Sequence, residues 1–238
     1  VIGLIGAIGA GKSRVAALLA ESGAFVIDAD AVGHALLDQR PVREQVLARF
    51  GAAILDRSSA PGEPARIDRR ALGAIVFAKP DALRQLEAIL HPRMRRTFER
   101  AIARTIRRGQ ARAVVLDAAI LLEAGWHTLC DRIVLVAAPR EQRLARLAEA
   151  RGWSEQTLAQ REAAQWPLER KQALADAVVE NDSGALPLEE NVRRLATTIF
   201  PPARRAPARP PGGGPRSPVP RTAAGLGPDR PADAGSRP

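Results

Sequence analysis

The chain of 238 residues has no tyrosine, only 3% aromatic residues and a single cysteine, Cys130. One cysteine excludes an intrachain disulfide and fits a reducing, cytoplasmic setting. Few aromatics leave Leu, Ala, Val and Ile to fill a core, and hydrophobic residues make up 46% of the chain, enough to do so. No apolar run approaches the ~18 residues of a membrane span, so no membrane association is expected. No charged, apolar, small-residue series opens the chain, so no signal peptide is expected either. There is neither zinc-finger spacing nor the aromatic–basic interleaving of RNA-binding modules. A formal charge of +10 therefore does not by itself imply a nucleic-acid partner, and none is expected. The charge is uneven. Residues 201–238 hold seven Arg and two Asp, eleven of the nineteen Pro, and no apolar period. This Pro/Arg-rich tail reads as disordered, which leaves 1–200 as one domain.

Lysine is also scarce: of 36 basic residues only Lys12, Lys79 and Lys171 are lysines. One of the three lies inside Gly6-Ala7-Ile8-Gly9-Ala10-Gly11-Lys12-Ser13, which fits the phosphate-loop pattern G-x-x-x-x-G-K-[ST]. The context fits as well. Val1 to Ile5 reads as a buried strand, and Ser13 to Glu21 has helical spacing with Val15, Leu18 and Leu19 on one face. Glycines let backbone N–H groups of Gly9, Ala10, Gly11, Lys12, Ser13 and Arg14 turn around a triphosphate, and the helix N-terminus adds partial positive charge. Lys12 is placed to reach the β- and γ-phosphates of ATP, and the Ser13 hydroxyl to ligate Mg²⁺.

A second strand, Ala24 to Ile27, ends at Asp28-Ala29-Asp30. Carboxylates just past the carboxyl end of a parallel strand face the ligand crevice. One of the two is expected to cap the next helix, Ala31 to Leu37, which carries His34. Val42 to Phe50 reads as a helix, Asp56 to Arg66 as a surface loop, and Asp68 as the cap of a helix over Arg69 to Phe77. Helical spacing runs from Asp81 to Leu90, breaks at His91-Pro92, and resumes from Met94 to Arg108 with Phe98, Ile102 and Ile106 inside. The helical stretch of about 40–110 is too long for a simple crossover and reads as an inserted substrate lobe. A third strand, Ala113 to Leu116, closes on Asp117 in the manner of a Walker B carboxylate that orders Mg²⁺ and its water. Glu123 closes the next apolar run. Arg132 to Val136 is a fourth strand. The basic stretch after it, with Arg143 and Arg146 on one face, reads either as a lid of about 140–166 or as a solvated helix. Ala177 to Glu180 is a fifth strand, followed by a turn at Asn181 and a last helix, Leu188 to Ile199. The fold class is therefore α/β, a P-loop NTPase fold with a five-stranded parallel sheet flanked by helices.

From Val1 to about Phe200 these residues resemble the dephospho-CoA kinase family, which completes coenzyme A synthesis. Five blocks carry the resemblance: the glycine loop Gly6–Ser13; Asp28-Ala29-Asp30 with His34; Asp68-Arg69 through Val76-Phe77 to His91-Pro92; Asp117 with Leu121-Leu122-Glu123-Ala124-Gly125; and Gln165, Lys171, Asp176 and Asn181. Ala7, Ala10, Arg14 and Ala119 depart from the family pattern. So does the spacing of the lid arginines Arg146 and Arg151, five apart instead of four. The resemblance implies transfer of the ATP γ-phosphoryl group to the ribose 3′-hydroxyl of dephospho-CoA. It makes Asp30 the base, Lys12 and Arg146 the charge-offsetting groups, and Asn181 a neighbour of adenine. Asp28, His34, Arg69, His91 and Glu123 would hold the acceptor, with Mg²⁺ on Ser13 and, through water, on Asp117. Two other readings stay open: another small-molecule P-loop kinase, against which the His91 and Glu123 blocks stand, and an NTPase switch, which lacks its Asn-Lys-x-Asp element here.

Overall fold

The five apolar runs form β1 (Ile2–Gly6), β2 (Ala24–Asp28), β3 (Ala113–Asp117), β4 (Arg132–Ala137) and β5 (Ala177–Glu180). They do so in the computed structural model, which describes residues 1–56, 66–163, 165–182 and 185–200. The expected disorder of 201–238 and nearly all of the expected loop between Asp56 and Arg66 lie outside the described residues. The strands make one parallel sheet in the order β2-β3-β1-β4-β5. β1 is central and all five of its residues are buried, which is why it reads as an unbroken apolar run. Side chains alternate between the two faces. Ile2 and Leu4 join Val115, Val134 and Val136 against Val15 and Leu19 of α1 (Lys12–Glu21) and Leu188 and Val192 of α9 (Ala185–Ile199). Ile5, Leu116 and Leu135 face the other way, toward Leu121, Trp126, Met94 and Phe98.

Four helices fill the chain between β2 and β3: α2 (Ala29–Leu37), α3 (Arg40–Phe50), α4 (Arg69–Ala78) and α5 (Pro80–Arg108). Asp68 caps α4 as expected, accepting from Arg70 N and Ala71 N. After β4 come α6 (Arg140–Arg151), α7 (Glu155–Glu162) and α8 (Leu168–Ala173). Among the described residues no helix is long and apolar enough to cross a membrane.

Two expectations are corrected on α5. The helix does not break at His91-Pro92 but runs on through Pro92 for 29 residues. An interior proline costs about 3 kcal/mol in lost hydrogen bonding and ring contacts. Leu90, Met94 and Phe98 bury on either side of it, each contributing about 1.5–3 kcal/mol. Packing therefore outweighs the local break, and Arg93 Nη1 caps the Ile89 carbonyl nearby. Ile106 is not inside; it is 66% exposed. A four-residue step turns the helix face by about 40°. Phe98 lies one such step from Met94, Ile102 two and Ile106 three, and three steps carry a side chain off the buried stripe.

Candidate active site

The phosphate loop joins β1 to α1 at the carboxyl end of the sheet. Gly9 (φ 79) and Gly11 (φ 92) hold left-handed conformations that glycine adopts without steric cost. Space demands glycine there too: a Cβ on Gly11 would lie 2.3 Å from Asn181 Nδ2, and one on Gly9 2.9 Å from Leu147 Cδ1. The loop carbonyls are held by hydrogen bonds, some within the loop and α1 and others from side chains beyond them. Ala7 O accepts from Ala10 N at 3.1 Å, and Gly11 O from Arg14 N and Val15 N. Ala10 O accepts from Asn181 Nδ2 at 2.8 Å. A trans peptide is planar with its C=O and N–H opposed, so a carbonyl fixed outward turns the following N–H inward. Among the described residues the N–H groups of Gly9, Gly11, Lys12 and Ser13 have no protein partner. That is the donor set an anion requires at a helix N-terminus.

The acidic groups stand beside it. β2 and β3 pair with Asp28 opposite Asp117, and Asp117 is also in register with Leu4 of β1. Asp28 proves to be the helix cap, accepting from Ala31 N at 3.0 Å. Asp30 sits exposed in the first turn of α2, where the helix dipole favours a carboxylate. Half-buried Lys12 has its pKa lowered by burial, against the upward pull of Asp117; Lys171 lowers it further, and Asp30 and Glu123 raise it. Burial pushes the Asp117 carboxyl up to about 6; Lys12 draws it down, and Asp28 and Asp30 push it up again. Lys12, Asp28, Asp30, Asp117, Glu123 and Lys171 thus form one electrostatic cluster.

Glu123 does more than end an apolar run. Its Oε1 takes Lys171 Nζ at 3.0 Å and Trp166 N at 2.9 Å, and Lys171 Nζ also donates to Gln165 Oε1 at 3.1 Å. Glu123 Oε2 is buried without a partner. Lys171 is 2% exposed, yet its sequence neighbourhood, Glu169-Arg170-Lys171-Gln172, looks like any solvated helix. The family resemblance and the scarcity of lysine both single out Lys171, but neither shows that it is buried against Glu123.

The remaining expected site residues lie on α1, α2, α4, α5 and α6 and after β5. Asn181 is buried after β5, and its carbonyl accepts from Arg146 Nη2 at 3.0 Å. Arg146 Nη1 is buried with no partner. The Arg14 side chain turns away to Glu189 at 2.8 Å, and its N–H donates to Gly11 O at 3.0 Å. Ser13 is exposed in the first turn of α1. His91 packs edge-on against Trp126, ring centroids 4.9 Å apart, and burial lowers its pKa. His34 and Arg69 are exposed on α2 and α4, and neither is among the charges that shift Lys12 or Asp117.

Comparison with known proteins agrees with this arrangement. A family model described as dephospho-CoA kinase matches residues 1–186. The dephospho-CoA kinase of Geobacter metallireducens is 44% identical over 196 residues, 82% of this chain and 94% of that protein. That of Geobacillus kaustophilus is 39% identical over 202 residues, 84% of this chain and 94% of that protein. The crystal structure of TT1252 from Thermus thermophilus is 35% identical with a TM-score of 0.70, covering 84% of this chain and 97% of that one. The dephospho-CoA kinase structure from Campylobacter jejuni, 21% identical with a TM-score of 0.61, covers 84% of this chain and 96% of that one and shares the fold. The family match takes in the phosphate loop, the paired aspartates and the buried Glu123–Lys171 pair alike, and the chain belongs to the dephospho-CoA kinase family.

Proposed function

We propose that the chain phosphorylates the ribose 3′-hydroxyl of dephospho-CoA with ATP, giving coenzyme A and ADP, in a cytoplasmic setting. Family membership over residues 1–186 supports the reaction. The observation that carries its placement is the set of loop N–H groups, unpartnered among the described residues, at the end of β1, with Asp117 in register beside β1 and opposite Asp28. The backbone N–H groups of Gly9, Gly11, Lys12 and Ser13 line the loop as the seat of the ATP phosphates, with Asn181 near adenine; the N–H groups expected of Ala10 and Arg14 are instead spent on Ala7 O and Gly11 O. Lys12 neutralises charge on the β- and γ-phosphates. Arg146, through the partnerless Nη1, offsets charge on the transferring group. Asp30 accepts the proton of the attacking hydroxyl. Its exposure at the start of α2 leaves it open to an acceptor. Asp28, His34, Arg69, His91 and Glu123 are the candidate contacts of the acceptor, and the free Glu123 Oε2 suits a hydroxyl or amide donor.

Mg²⁺ fits this site. The donors are all oxygen, from the Ser13 hydroxyl and the carboxylates of Asp28, Asp30 and Asp117. Burial is the first cause that raises Asp117, and the nearby Asp28 and Asp30 carboxylates add to it, so a cation beside them would be favoured. Among the described residues no three acidic, His or Cys side chains form a closed metal cage, as expected of an ion that binds through one or two protein oxygens and the phosphates. Ser13 would ligate it and Asp117 would order its waters. Bound there, the ion would supply neutralisation of the charge on the transferring phosphoryl group.

The test is ADP release with ATP and Mg²⁺, supplying dephospho-CoA, AMP, shikimate or no acceptor. Release that requires dephospho-CoA and yields coenzyme A supports the function. Preference for AMP or shikimate, or release without any acceptor, overturns it.

A further inference from the structure

We propose that Arg143 is a positioning residue: it fixes the Ile8–Gly9 peptide of the phosphate loop and, through Glu162, ties that peptide to α7. The proposal rests on the kinase function above. Arg143 lies on α6 and is only 5% exposed. A guanidinium is rarely buried without dedicated partners, and this one has three. Its Nε donates to Ala138 O at 3.3 Å, and its Nη1 donates both to Ile8 O at 3.1 Å and to Glu162 Oε1 at 2.5 Å.

The Ile8 bond matters because of peptide geometry. With its C=O held outward by Arg143, the planar Ile8–Gly9 unit must aim Gly9 N–H into the hollow of the loop. Asn181 does the same for the Ala10–Gly11 unit from the opposite side. The two inward donors that glycine makes possible are thus each set by one side chain outside the loop. An apolar residue at 143 would fill the space but leave the Ile8 carbonyl without its donor. Lysine would bring one compact ammonium where a planar fork now serves several acceptors.

The second half of the link is α7. Glu162 bonds Arg143, and its Oε2 also stands 3.6 Å from Arg140 Nε. The residue before it, Arg161, lies over the Phe77 ring of α4 at 4.9 Å. Consecutive residues of α7 therefore touch the helical lobe and, through one guanidinium, the phosphate loop. Where α7 sits bears directly on how well the loop is held.

The experiment measures kcat, KM for ATP, KM for dephospho-CoA and the ADP dissociation constant on the full chain. The variants are Arg143→Met, Arg143→Lys, Glu162→Gln and the double variant Arg143→Met/Glu162→Gln, with thermal unfolding of each. A lost charged hydrogen bond leads us to expect about a tenfold rise in KM for ATP and in the ADP dissociation constant for Arg143→Met. KM for dephospho-CoA should stay within about twofold. Arg143→Lys should recover part of the loss, Glu162→Gln should show about a threefold rise, and the double variant should be no worse than Arg143→Met alone. Unchanged nucleotide affinity, or a fall in kcat with both KM values unchanged, would reduce Arg143 to packing and overturn the proposal. Additive effects would remove the Glu162 link. If Arg143→Met does not fold, Arg143→Lys and Glu162→Gln decide by the same readouts. A wild-type enzyme that does not phosphorylate dephospho-CoA contradicts the function instead, so the two failures are distinguishable.

Discussion

Asp28 and Asp117 lie side by side at the carboxyl ends of neighbouring parallel strands, paired in register across β2 and β3. Asp28 caps α2, while Asp117, the more enclosed of the two, is raised first by burial and further by the Asp28 and Asp30 carboxylates. This one relationship links the sheet topology to the charge of the site.

A pH effect follows from Asp117. Its pKa is raised from 3.8 to about 6, first by burial and then by Asp28 and Asp30 against the pull of Lys12. Between these values the folded protein holds a proton that the unfolded chain has released. The contribution is present below about pH 4 and is lost as pH rises through about 6, on the order of 3 kcal/mol. Urea unfolding without nucleotide or Mg²⁺ should show Asp117→Asn gaining stability relative to wild type as pH goes from about 4 to about 7. A difference that does not vary with pH would contradict this.

Asn181→Ala removes the donor to the Ala10 carbonyl and leaves that buried group unpartnered. At about 1–1.5 kcal/mol, ATP should bind about five- to tenfold more weakly. Calorimetric titration with ADP checks it, and unaltered affinity would show that Gly11 N–H is oriented by other means.

Lys171→Met strands Glu123 as a lone buried charge, since the pair is 2% and 17% exposed at its side chains. Removing one partner of a buried pair costs about 3–5 kcal/mol. Adding Glu123→Gln to the same protein should recover much of that, as measured by denaturant midpoint. A double variant less stable than Lys171→Met alone would mean that the carboxylate's bond from Trp166 N, and not its pairing with Lys171, sets its contribution.

Pro92→Ala should stabilise the chain by about 1–2 kcal/mol, because α5 already continues through this position without the proline N–H. A loss of stability would show that the proline ring itself packs against the lobe.

The strands and the phosphate loop were legible in the sequence because short apolar runs ending in Gly or Asp can do little else in a parallel sheet. The positions of Asp28, Asp30 and Asp117 at or just past strand carboxyl ends were legible in the same way, but the pairing of Asp28 opposite Asp117 was not. What stayed hidden was decided by contacts between distant segments. Pro92 is a local helix breaker that Leu90, Met94 and Phe98 override together. Ile106 keeps the i+4 spacing of its predecessors, but spacing alone does not show how far a helix face drifts. Arg143 and Lys171 sit in charged stretches that look solvated. Their burial depends on Ile8 and Glu162 in one case and Glu123 and Gln165 in the other, partners that no local pattern announces.

The most direct test concerns Asp30. Coenzyme A formation should be followed at saturating ATP and dephospho-CoA for wild type and Asp30→Asn, with thermal unfolding to confirm that the variant is folded. The assigned base predicts a fall in kcat of about 10²- to 10⁴-fold, with nucleotide affinity kept within a few-fold because the phosphate loop is untouched. An Asp30→Asn enzyme that makes coenzyme A at a rate near wild type would contradict the assignment.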